Sequence, residues 1–74
     1  MRYLVIIEKA EANYGAYIPD LPGCVAIGDT VDEVTQQIHE AARFHIEGML
    51  KDGEPIPTPS SVAAHVDLDV SQPV

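Results

Sequence analysis

The chain has 74 residues, four Lys and Arg against twelve Asp and Glu for a formal net charge of −8, and an apolar content of 46%. A chain this short buries only about 60% of its unfolded surface, which excludes two independently folding units. The negative charge excludes a surface built to neutralise phosphates, and the apolar content excludes a chain too hydrophilic to fold.

Met1 and Arg2 lead directly into Tyr3-Leu4-Val5-Ile6-Ile7. That run is too short for a membrane span or the apolar core of a signal peptide, so a cytoplasmic location without membrane association is expected. Residues 2 to 9 predict a first strand, with Tyr3, Val5 and Ile7 on one face and Leu4 and Ile6 on the other. Apolar on both faces, it is expected at the centre of a sheet. Ala10 to Asn13 predict a hairpin turn, and residues 14–18 a second strand antiparallel to the first, ended by Pro19. Leu21-Pro22-Gly23-Cys24 suits a type II turn, in which Pro presets φ at one central position and Gly accepts positive φ at the next. A third strand is expected over residues 24–27.

Thr30-Val31-Asp32-Glu33 has the pattern of a capping box and predicts a helix start. At 100° per residue, Val31, Val34, Ile38, Ala41, Ala42, His45 and Met49 share a stripe, opposite Asp32, Gln36, Glu40, Arg43 and Glu47. Gly53 offers a left-handed cap beyond Lys51, giving a helix of about 30 Å that overruns a sheet of short strands. Phe44 and Leu50 fall off the stripe and are expected to be exposed unless another subunit receives them.

The prolines at 55, 57 and 59 favour a stiff extended connector. Val62, Ala64, Val66, Leu68 and Val70 then alternate with Ala63, His65, Asp67 and Asp69, which predicts a half-exposed fourth strand. The expected fold is α+β: a two-layer βββαβ unit over residues 1–70, with residues 71–74 as a C-terminal tail. A right-handed crossover sets the fourth strand parallel to the first, in order 3-2-1-4, with one long helix on one face. The other face of the sheet is left apolar, and self-association as a dimer or tetramer would cover it. The lack of any staple points the same way, because the single Cys24 closes no intrachain disulfide and has no partner at zinc-finger spacing.

Reactive chemistry finds little support. Cys24 with His39, His45 or His65 is the minimum for a thiolate nucleophile and base, but no oxyanion-hole pattern accompanies them, and a small core thiol is the expected role. His39 and His45 lie about 120° apart on the helix and cannot share a metal. Asp20, Asp29, Asp32 and Glu33 cluster in sequence, yet the last three are accounted for by a helix N-terminus. No phosphate loop follows Gly23 or Gly28. The chain is therefore expected to be no enzyme, with no catalytic, cofactor-binding or metal-binding residues and no cofactor.

Three ordered motifs carry a resemblance: Tyr14-Gly15-Ala16-Tyr17-Ile18-Pro19-Asp20-Leu21-Pro22-Gly23-Cys24, then Gly28-Asp29-Thr30-Val31-Asp32-Glu33, then Glu47-Gly48-Met49-Leu50-Lys51-Asp52-Gly53-Glu54-Pro55-Ile56-Pro57. Together they resemble the HicB-like antitoxin family over nearly the whole chain. The resemblance implies a degraded ribonuclease-H-like fold used for binding. Ribonucleases of that fold place an acidic metal ligand within the first strand, whereas Leu4-Val5-Ile6-Ile7 is wholly apolar here, which argues against nuclease activity. It further implies a partner, a small basic HicA-type toxin that cleaves messenger RNA, which an acidic surface suits. Many HicB proteins carry a C-terminal operator-binding domain; here only Ser71-Gln72-Pro73-Val74 follow Val70, so the expected form is the short one, with no direct binding of nucleic acid. The alternative is an orphan oligomeric module that binds a small ligand or another protein and has no toxin partner.

Overall fold

In the computed structural model, which describes residues 1–71, the first three strands form as β1 (Ile6–Lys9), β2 (Tyr14–Tyr17) and β3 (Val25–Gly28). They pair antiparallel in the order β1-β2-β3. Ile7 sits opposite Ala16 and Ala16 opposite Ala26, while Ile6, Tyr17 and Val25 form the neighbouring row. The first turn closes with the Ala10 amide on the Asn13 carbonyl at 2.8 Å. The second closes with the Cys24 amide on the Leu21 carbonyl at 3.1 Å, and Gly23 takes φ 86°, as a type II turn requires.

A 21-residue helix, α1 (Val31–Lys51), crosses one face of the sheet and packs chiefly on β3 and β2. The core is Ala16, Ile18, Leu21, Cys24, Val34 and Ile38, with Tyr3, Val5, Ile7, Ala26, Ala41, Ala42 and Ile46 half-buried around it. Of the two faces of the first strand, the Tyr3-Val5-Ile7 set meets the helix. The helical stripe holds except at its start, where Val31 is exposed, and Ile46 joins it from outside the expected set. Close approach at one point sets the helix on the sheet. A Cβ on Gly28 would lie 2.6 Å from the Val34 amide nitrogen and 2.9 Å from its Cα, so only glycine lets this turn sit on β3.

Both helix ends follow local chemistry. Thr30 has extended backbone, and its Oγ1 accepts from the Glu33 amide at 3.0 Å. Among the described residues the Glu33 carboxylate does not return the bond, so half of the expected capping box forms. At the other end the Glu54 amide donates to Met49 and the Gly53 amide to Leu50, at 2.9 and 3.2 Å, with Gly53 at φ 70°. This is a Schellman ending.

Two expectations are corrected. The first strand begins at Ile6, because its partner β2 ends opposite at Tyr17 and Pro19 has no amide hydrogen to extend the ladder. The fourth strand is not formed: residues 62–70 carry no regular structure and are exposed throughout, so the observed order is β1-β2-β3 and β1 lies at an edge. A period of two marks a segment with one face to be covered but does not say which strand it pairs with. Of the expected tail, residues 72–74 lie outside the described residues.

Candidate interaction surfaces

The sheet face turned away from α1 is apolar. The row Ile6, Tyr17, Val25 and the row Glu8, Gly15, Ile27 project there, with Leu4 continuing the surface. Val25 and Ile27 are 65% and 68% exposed, and Tyr17 is also exposed. Three large apolar side chains side by side on an open sheet face mark a place to be covered. Phe44 and Leu50 stand exposed on the helix, where the sequence places them.

A second feature lies at the β1 side of the two layers. Because α1 leans toward β2 and β3, a groove of about 400 Å³ opens between the N-terminal segment and the helix. Tyr3, Val5, Ile18, Ile38 and Ala42 form its apolar walls, and His39 and Arg43 stand among its lining residues.

The connector after α1 returns to the sheet and is held at two points. The Tyr3 hydroxyl donates to the Pro57 carbonyl. Asp20 takes four bonds: its Oδ2 accepts the amides of Ser60 and Ser61, each at 3.0 Å, and its Oδ1 accepts their hydroxyls at 3.1 and 3.0 Å. These donors, the Ser61 amide foremost and the Ser60 amide next, hold the Asp20 carboxyl at a pKa of about 2, below its usual 3.8. Sequence reading grouped Asp20 with neighbouring acids; its partners lie forty residues away, and no local pattern announces them.

The remaining acids are spread over the exterior. Asp32, Glu33, Glu40 and Glu47 line the exposed side of α1. Arg43 Nη2 bonds Glu40 Oε2 at 3.0 Å, which engages one of the chain's four cations in a surface pair of small energetic value. The groups that could support reactivity are dispersed. Cys24 is buried, and burial pushes its thiol pKa up, away from the thiolate. His45 is half-buried, its Cε1 3.9 Å from where a Cβ on Gly23 would stand, while His39 and His65 are exposed. Among the described residues no three His, Cys, Asp or Glu side chains gather as a metal site, and no helix is long and apolar enough to cross a membrane.

The fold and these surfaces define a small α+β domain whose distinctive features are apolar and acidic surfaces. Residues 3–71 match the model of the HicB-like antitoxin of bacterial toxin–antitoxin systems, and the chain belongs to that family. It is 40% identical over 67 residues to an uncharacterised 14.9 kDa protein from the rep-hol intergenic region of Haemophilus phage HP1, covering 90% of this chain and 50% of that protein. Antitoxin HicB 1 of Photorhabdus laumondii is 34% identical over 73 residues, covering 96% of this chain and 47% of the relative. The chain thus spans about half the length of these two relatives. A chain of the HicA3 and HicB3 toxin–antitoxin complex superposes with a TM-score of 0.70 at 32% identity, over 81% of this chain and 70% of that one.

Proposed function

We propose that this chain is an antitoxin domain that binds and neutralises a small basic HicA-type toxin, without catalysis. The observation that carries this reading is the likeness, at 32% identity, to a chain of a HicA3 and HicB3 complex. The charge of −8 agrees with it: acids on the exposed side of α1 and around the turns draw in a cationic partner and stand where an RNA substrate's phosphates would otherwise be. Residues 1–70 act as one domain in the cytoplasm and bind the protein partner, not nucleic acid. The scattered Cys24, His39, His45 and His65 offer no nucleophile and base pair, which supports a role in binding alone. The test is reconstitution with a HicA-type toxin, the product of a neighbouring gene where one is found. A complex that forms and stops RNA cleavage supports the proposal, and the absence of both defeats it.

Self-association belongs to the same reading, as does a fourth strand over residues 62–70 formed on assembly. The exposed patch of Tyr17, Val25 and Ile27 supports it, because so much apolar surface on a 74-residue chain is costly in water. That patch also favours a second reading, an oligomeric binding module with no toxin partner. A chain that assembles and yet ignores every HicA-type protein offered to it would fit that alternative.

A further inference from the structure

The segment beyond Ser61 and the outer edge of β1 are two halves of an unmade pairing. The edge strand β1 has a partner only on its β2 side, so the backbone groups along its other side are free. Next to that edge, the groove between the N-terminal segment and α1 is apolar and open. The segment 62–70 carries Val62, Val66, Leu68 and Val70 at every second or fourth position, 85%, 76%, 73% and 66% exposed. Its root is fixed: Ser60 and Ser61 are bonded to Asp20, and Ser61 and Ala63 lie beside Arg2 to Val5. Beyond that root the segment is exposed throughout and forms no ladder with its own β1.

The dimensions agree. The radius of gyration is 15.2 Å, against about 11 Å for a compact chain of this length, and the longest extent is 52 Å. The helix accounts for about 32 Å of that at 1.5 Å per residue. Charge is complementary as well, since Arg2 and Lys9, two of the four cations, flank the edge, and the arm carries Asp67 and Asp69.

We propose that residues 62–70 form an exchanged arm, which adds as a fourth strand to the outer edge of β1 in a second copy of this chain and places its valines and leucine over that copy's groove. The exchange is reciprocal, so two arms close a two-fold pair in which the outer edge of each β1 is paired. Asp20 and Tyr3 hold the hinge from which the arm departs. The inference rests on the self-association reading above and specifies its geometry.

Two measurements on the full chain test it. Sedimentation of the wild type is compared with Val66→Asp/Leu68→Asp, with far-UV circular dichroism to verify that the fold persists. The expected result is a dimer for the wild type and a monomer of unchanged secondary structure for the variant. In the second, a nitroxide is attached to Asp67→Cys in a Cys24→Ala background, unlabelled with nitrogen-15, and the chain is co-refolded with nitrogen-15 wild type. Broadening of the Ile6 to Lys9 amides in the isotope-labelled chain is expected. A dimer in which the Ile6 to Lys9 amides of the isotope-labelled chain show no broadening overturns the exchange and leaves self-association standing. A wild-type monomer at all concentrations overturns both.

Discussion

Gly28 and Asp20 are single residues on which the packing of this chain turns, and neither acts through a local pattern. At Gly28 the Val34 backbone stands where a Cβ would go, and backbone cannot swing aside as a side chain can. Gly28→Ala is expected to cost about 1–3 kcal/mol through overpacking, read as a lowered midpoint in denaturant unfolding; an unchanged midpoint would contradict the contact. Asp20 gives a pH signature. Its folded pKa of about 2 lies below the unfolded value, so its contribution is complete above about pH 4 and is lost as pH falls through about 2. The nitrogen-15 shifts of Ser60 and Ser61 should titrate together near the lower value, and Asp20→Asn should abolish that step. A midpoint near the ordinary carboxylate value would show that the four bonds are not held in solution. Gly23 and Gly53 were legible in the sequence because turn and cap chemistry act within a few residues. Asp20 was not, because its partners lie forty residues on, and Gly28 was not, because its contact with Val34 arises only once the first helical turn packs back on β3.

At the scale of elements, the helix ends where local rules put it. The bonds from Gly53 and Glu54 back to Leu50 and Met49 require positive φ at Gly53, and Gly53→Ala is expected to cost about 1 kcal/mol, measured by thermal unfolding. Stability equal to the wild type would mean that the helix ends differently in solution. The apolar stripe of α1, the hairpin and the type II turn were all readable from period and turn residues, since each depends on spacing along one segment. The two-faced apolarity of residues 3–7 is legible in the sequence, but its inferred central position is not found: β1 is an edge strand, and on the proposed exchange its second neighbour comes from residues 62–70. Pattern specifies which face of a strand is covered, while pairing depends on what approaches its edge. The exposed alternating arm and the open edge are the same omission seen from two sides.

For the whole molecule, charge and membership of the HicB-like antitoxin family agree with the proposed account, in which an acidic exterior engages a cationic protein partner. The candidate surfaces were only partly legible in the sequence. The acidity and the spare apolar sheet face could be read from composition and alternation, whereas the groove beside Tyr3 and Ile38 depends on how far the helix leans toward β3. Electrostatic capture makes a demanding prediction about salt, because attraction between exposed charges is screened over about 10 Å at 0.1 M ionic strength. The most direct measurement is calorimetric titration of this chain into a HicA-type toxin at low and at high salt, with RNA cleavage followed in parallel. The account predicts saturable binding that weakens as salt rises and cleavage that stops at saturation. Heat indistinguishable from dilution at low salt, with cleavage undiminished, would contradict it.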